Sequence, residues 1–202
     1  MITTLLIIAV TCIVSFSAFS NRELAEKLIL WPPAVQRGQY YRLLTHGFIH
    51  ADSSHLLLNM FTLFFFGKAM EPLYELILGP AGFALFYVSA IVVVILPTYF
   101  ANKDNANYRS LGASGAVSAV LFAFILIRPW ATILVWFIPM PAIVYAIGYV
   151  AYSIYQDRRN ADNINHSAHL WGAAYGIAFT VVAKPEVISY FLEQLTHPTF
   201  GR

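Results

Sequence analysis

The sequence predicts an all-α membrane protein, a single domain built as a bundle of six transmembrane helices. Three observations carry that expectation. Only 11% of the 202 residues are charged and 59% are hydrophobic, against roughly 25% charged in average soluble domains. Six stretches lack Asp, Glu, Lys and Arg over lengths near the ~20 apolar residues that cross a bilayer. No Ser/Gly-rich linker, internal repeat or charge block divides the chain. The composition also narrows the partners. Twelve Lys+Arg against ten Asp+Glu give a net charge of +2, too small and too scattered for a nucleic-acid surface. Cys12 is the single cysteine, which excludes an internal disulfide and a cysteine metal cluster.

The first stretch, residues 2–21, carries the small residues Ser15, Ser17 and Ala18 but lacks the basic segment of a cleaved leader, and the apolar run fits either a leader or a retained helix. Residues 22–52 are too polar to span, contain Trp31-Pro32-Pro33 and are longer than a turn. They are expected to fold at the interface, with Trp31, Tyr40 and Tyr41 at headgroup level. The second span, residues 53–67, is short and holds His55 and Asn59, but residues 56–67 are a nearly continuous run of Leu, Met and Phe. The third and fourth spans cover residues 76–102 and 110–127. The fifth, residues 129–156, contains Pro139 and Pro141, expected to bend or loosen its helix. That helix and residues 156–167 are read as a movable entrance and cap. The sixth span covers residues 163–183, and in residues 185–202 the side chains of Val187, Ile188, Phe191 and Leu192 suit a short helix lying against membrane lipids.

Six spans make the second, fourth and sixth helices parallel, so their N-terminal ends share one membrane face. His55 and Asn59, Ser114, and His166 and His169 lie at those three ends. Polar groups at membrane depth are costly and usually face the bundle interior or a water-filled cavity, which makes the cluster a functional-site hypothesis. The loops on that face hold Arg22, Lys27, Arg37, Arg42, Lys103, Arg109, Arg158 and Arg159, whereas the other face holds Lys68, Arg128, Lys184 and Arg202. A bare positive-inside count therefore places the cluster on the cytoplasmic side.

Ser114 lies in Ser110-Leu111-Gly112-Ala113-Ser114-Gly115-Ala116, a hydroxyl among small residues at the start of an apolar helix. Unpaired N–H groups and the positive dipole end there favour an oxyanion. The motif is not Gly-x-Ser-x-Gly, since position 116 is Ala, and a Ser among small residues is more often a packing residue. His169 precedes a small-xxx-small pair, Gly172 and Gly176, a face that lets helix backbones approach. Packed on Gly115, Ala116 and Ala119, it brings imidazole to hydroxyl, as nucleophilic catalysis requires. A histidine bonded to a backbone carbonyl fits the same pattern. His55 and Asn59, four apart, share a helix face and offer uncharged donors. His46 and His50 have metal-like spacing, but no acid-rich or Cys-rich shell and no His-Glu-x-x-His pattern accompanies them, so no metal is expected.

In this order, the motifs resemble the rhomboid family of intramembrane serine proteases over residues 40–176. Tyr41-Arg42 is similar to the Trp-Arg pair of the family's first loop, with Tyr for Trp. The series His46, His50, His55, Asn59 has the family spacing, and Gly67 followed by Glu71 is also similar. Gly112-Ala113-Ser114-Gly115 resembles the nucleophile motif, and Ala168-His169 with Gly172 and Gly176 the base motif. The resemblance implies a Ser–His dyad without a third acid: Ser114 as nucleophile, and His169 as base and then acid. It implies an oxyanion hole of His55, Asn59 and the Ser114 backbone N–H, with His50, Gly112, Gly115, Gly172 and Gly176 in support. Asp162, the nearest carboxylate in sequence to His169, is left out of the site. The resemblance further implies a retained first helix, no cofactor and transmembrane protein substrates that unwind easily. It implies a multi-pass protein of a bacterial cytoplasmic membrane whose site opens to the outer side. At position 118 some bacterial members have an aromatic residue stacked on the base; here it is Ser118, with Tyr175 or Trp171 as candidate substitutes. The rival readings are a silent relative that binds transmembrane segments and a small channel or transporter, the latter lacking any internal repeat.

Overall fold

In the computed structural model, residues 1–135, 137–159 and 164–198 are described, and Asp162 lies outside them. Helix α1 (Ile2–Ser20) is an uninterrupted apolar run and stops at Asn21, whose side chain accepts from the Leu24 N–H and so caps α2 (Arg22–Leu28). Trp31 precedes α3 (Pro32–Gln36), where proline suits the first helical turn. After α4 (Arg42–Thr45) and a 3-10 turn at His46–Phe48, Asp52 caps the long α5 (Ser53–Leu78) by accepting from the His55 N–H. The interfacial segment is thus folded, and Arg42 organises it. Buried to 6% exposure, Arg42 donates to the Glu26 and Ile29 carbonyls at 2.7 Å, groups that the end of α2 leaves without intrahelical donors.

Helix α5 runs well past the expected end at residue 67. Lys68, Glu71 and Glu75 belong to it, because Glu71 is buried against α1. Its carboxylate accepts from the N–H groups of Thr3 and Thr4, both at 2.9 Å, and from the Thr4 hydroxyl at 2.5 Å; the Met1 amino group lies 2.5 Å away. The α1 N-terminus is therefore held by an anion where its N–H groups lack helical acceptors. A Cβ on Gly67 would come within 2.9 Å of the Thr4 methyl, so the glycine lets the two helices close. Gly79 (φ +82) turns the chain, residues 76–78 fall in α5 rather than in the third span, and α6 is Gly82–Ala101.

Helix α7 (Ser114–Ile127) is only 14 residues, shorter than the fourth apolar stretch. Its length of about 21 Å falls short of a ~30 Å hydrocarbon core. All but three of its residues are buried, which places it at the centre of the bundle. The fifth span is corrected most. Residues 132–135 and 138–141 are not helical: β1 (Thr132–Val135) and β2 (Ile138–Pro141) pair antiparallel, with Thr132 opposite Pro141 and Leu134 opposite Pro139. Both prolines take alternate positions of one strand, compatible with their missing N–H groups, and neither kinks a helix. Helix α8 (Ala142–Arg159) starts only there, followed by α9 (His166–Ala183) and the short α10 (Val187–Thr196).

Among the described residues, α1, α5 and α6 are long and apolar enough to cross a membrane, and α7 is a shorter apolar helix. The core between them is aromatic. Tyr74 stacks on Phe86 at 4.4 Å between ring centroids, and its hydroxyl meets Thr180 Oγ1 at 2.7 Å, tying α5 to α9. A second cluster, including Leu121, Phe122, Ile133, Ala142 and Ala173, joins α7, the hairpin, α8 and α9.

Candidate active site

Ser114 is the first residue of α7, preceded by Gly112 in a positive-φ conformation (+113°). L side chains rarely adopt that backbone, and here a Cβ would also come within 2.7 Å of the His55 ring. The Gly112 N–H donates to the His46 carbonyl at 2.9 Å, which fixes the turn into the helix. Helices α7 and α9 meet backbone to backbone: a Cβ on Gly172 would lie 2.2 Å from the Gly115 carbonyl oxygen, and one on Gly176 would lie 2.1 Å from that of Ala119. An alanine at either position forces the helices apart. This approach brings His169 Nε2 to 2.9 Å from Ser114 Oγ, and both side chains are partly exposed.

His55 and His50 complete the cluster, their rings packed edge to face at 4.9 Å. His50 Nε2 accepts from the Ala113 N–H at 3.3 Å. Its other nitrogen must then carry the proton, which Nδ1 donates to Ser15 Oγ at 2.9 Å, and Ser15 in turn donates to the Phe48 carbonyl. The relay links α1, the interfacial segment and the backbone next to Ser114. Burial first, and then the neighbouring His55, push the pKa of His50 down from 6.5 to about 3, with Asp52 opposing; burial takes His46 to about 4. Asn59 is buried and donates one amide N–H to the His55 carbonyl at 2.9 Å, leaving the second N–H of Nδ2 for another acceptor.

Two further contacts hold the His169 side of the cluster. Tyr149 of α8 lies nearly parallel to the His169 ring, with centroids 5.9 Å apart and planes at 26°. Its hydroxyl is 2.6 Å from Ser118 Oγ. Asn165 caps α9 by accepting from the Ala168 N–H, and its amide reaches Tyr108 and Ser110 at 3.1 and 3.3 Å, tying α9 to the segment that leads into Ser114.

A family model described as the Rhomboid domain matches residues 37–186. The chain belongs to the rhomboid family. It is 31% identical over 184 residues to RHOMBOID-like protein 12, mitochondrial, of Arabidopsis thaliana, covering 85% of this chain and 55% of that protein. It is 29% identical over 171 residues to a Bacillus subtilis protein provisionally named rhomboid protease YdcA, covering 80% and 81% of the two chains. With Rhomboid protein 1, mitochondrial, of Saccharomyces cerevisiae it shares 30% identity over 138 residues, 66% of this chain and 39% of that protein. The chain thus spans about half the length of the Arabidopsis relative and most of the Bacillus one.

In this rhomboid chain the ring beside His169 is neither of the two aromatic candidates named from sequence. Tyr175 bonds Ser89 and packs on Phe86, and Trp171 is half exposed. Tyr149 and Ser15 had no signal in the sequence, since each acts across a distance that only the fold closes. Asn165 had one: an Asn directly before an apolar helix is an N-cap pattern.

Proposed function

We propose that this rhomboid is an intramembrane serine endopeptidase that cuts transmembrane proteins in or near their spans. The observation that carries the reading is the 2.9 Å contact between Ser114 Oγ and His169 Nε2 at a helix start whose first N–H groups lack intrahelical acceptors. His169 takes the Ser114 proton as Oγ attacks the scissile carbonyl. The oxyanion is met by the Ser114 N–H, His55 and Asn59. His169 then gives the proton to the leaving amine, and water, activated by the same base, hydrolyses the acyl-enzyme.

A helix hides its carbonyls in its own hydrogen bonds, so the substrate must be extended at the cut. Spans that unwind near one end, with small residues beside the scissile bond, fit this need. An open apolar groove between α7 and α8, lined by Phe122, Ala146, Ile147, Val150, Ala151 and Ile154 with a volume of about 450 Å³, favours entry along α8. We assign the protein to a bacterial cytoplasmic membrane, with the site opening to the outer side. The second reading, a silent relative that binds transmembrane segments, draws on the rhomboid-like name of the Arabidopsis relative; retention of both Ser114 and His169 speaks for the protease.

The test is cleavage of a model transmembrane substrate by purified protein. Ser114→Ala and His169→Ala should each lower the rate by about 10³-fold or more while leaving the thermal unfolding midpoint intact. Cleavage that survives Ser114→Ala overturns the mechanism. A wild type that binds substrates without cutting any supports the silent relative.

A further inference from the structure

We propose that Tyr149 is the positioning residue for the catalytic base, and that by carrying this ring on α8 the protein makes the readiness of His169 depend on where α8 sits. The inference rests on the Ser114–His169 reading and extends it to a residue on a third helix. A serine is activated only if the imidazole holds its angle as well as its distance, and a 2.9 Å contact fixes one atom of the ring but not its plane. Position 118 lies one turn after Ser114 on the same face of α7, yet a serine side chain is too short to cover the ring. The structure fills the gap from the other side. Tyr149 stacks on His169 at 5.9 Å and 26°, within the range of offset aromatic pairs, and Ser118 holds the tyrosine hydroxyl at 2.6 Å. Ser118 therefore acts through Tyr149, and the two serines of α7, one turn apart, grip the two rings of one stack.

A second rung sets the register of α8 on α9. Tyr152, three residues after Tyr149, meets the edge of His166, three residues before His169, at 5.7 Å. The antiparallel helices thus interleave two tyrosines with two histidines. The N-terminal end of α8 is fixed, because the N–H groups of Ala142 and Ile143 donate to the Ala131 and Pro129 carbonyls at 2.9 and 2.8 Å and Ala142 is fully buried. Tyr149 lies seven residues along, about 10 Å from that anchor. A tilt of α8 about its anchored end, as entry of a substrate beside α7 requires, carries Tyr149 off the imidazole. The base is held when the helix is seated and released when it is displaced.

Four proteins decide the matter: wild type, Tyr149→Phe, Tyr149→Ala, and the swap Tyr149→Ala/Ser118→Tyr, which moves the ring to α7. Three readouts are taken: kcat and KM on a model transmembrane substrate, the rate at which an organophosphonate labels Ser114, and the Cε1–H resonance of His169. Tyr149→Ala should lower kcat and the labelling rate together by about 10- to 100-fold, with KM changing much less. It should also move the His169 resonance downfield as the ring current disappears. Tyr149→Phe keeps the stack and should stay within about threefold of wild type, and the swap should recover most of the loss. Because the phenylalanine and swap variants retain an aromatic ring, the test stands even if Tyr149→Ala misfolds. A His169 resonance that Tyr149→Ala leaves in place, a wild-type labelling rate in that variant, or a swap that folds and recovers nothing overturns the proposal. Failure of the wild type to label at Ser114 sinks the protease reading instead, while the resonance still reports the stack.

Discussion

Both ring nitrogens of His50 are engaged, Nε2 by the Ala113 N–H and Nδ1 by Ser15, so a second proton would set an N–H against an N–H beside Ser114. Burial, and after it the neighbouring His55, keep the imidazole neutral, with a pKa of about 3. The consequence for stability has a definite sign. Below pH 6.5 the unfolded chain protonates His50 while the folded chain does not, so stability falls as pH is lowered from about 6.5 toward 3. At pH 5 this residue alone costs about 2 kcal/mol relative to neutral pH. Glutamine has an oxygen to accept from Ala113 and an N–H to donate to Ser15 but takes no proton. Thermal unfolding in one detergent, followed from pH 7 to pH 5, should therefore show a shallower acid loss for His50→Gln than for wild type. Parallel curves would remove His50 as the source. That His50 matters is legible from its spacing to His55 and Asn59 and the family resemblance; how it works is not, because its partner Ser15 stands 35 residues away on α1.

At the scale of elements, α1 is held at both ends, and at one of them to the site. Ser15 bonds the Phe48 carbonyl and His50, and near the other end Glu71 gathers the first N–H groups of the helix while Gly67 admits Thr4. Removing the charge should detach one end first. Glu71→Gln is expected to lower stability by about 1–3 kcal/mol and to speed alkylation of Cys12, midway along α1, by a membrane-permeant thiol reagent. If both the unfolding midpoint and the alkylation rate stay at wild-type values, α1 docks through other contacts. Glu71 also shows why helix ends are harder to read than helix centres. Charge is a sound signal for leaving the membrane, but a buried carboxylate matched to a helix N-terminus does not end α5. The hairpin is hidden for a different reason: a short apolar run reads alike as buried strand or helix. Pro139 and Pro141 mark an interruption there without naming its form. The run of α1 is legible almost to its ends and that of α6 at its C-terminal end, since no charge within them competes with the apolar signal, whereas the start of α6 is hidden because the last residues of α5 are apolar too.

For the whole molecule, the geometry makes the direction in which the bundle faces measurable. Asp104 and Ala81 are exposed residues just beyond the two ends of α6 (Gly82–Ala101). A helix of that length rises about 30 Å, the thickness of the hydrocarbon core, so the two residues emerge on opposite sides of the membrane. Asp104 lies on the face where α7 begins with Ser114, whereas Ala81 lies on the face where α5 ends. The basic residues crowd the Ser114 face, and a count of charges alone would keep that face in the cytoplasm. Several of them are structurally engaged, however: Arg42 holds the end of α2, and Arg37 and Arg109 lie over the Trp31 ring at 4.9 and 4.6 Å. With Cys12→Ser as a cysteine-free background, a membrane-impermeant maleimide applied to intact bacterial spheroplasts should label Asp104→Cys at once and Ala81→Cys only after lysis. The reverse pattern would turn the bundle over. Ser114 and His169 would then meet water from the cytoplasm, and only segments presented from that side would reach them.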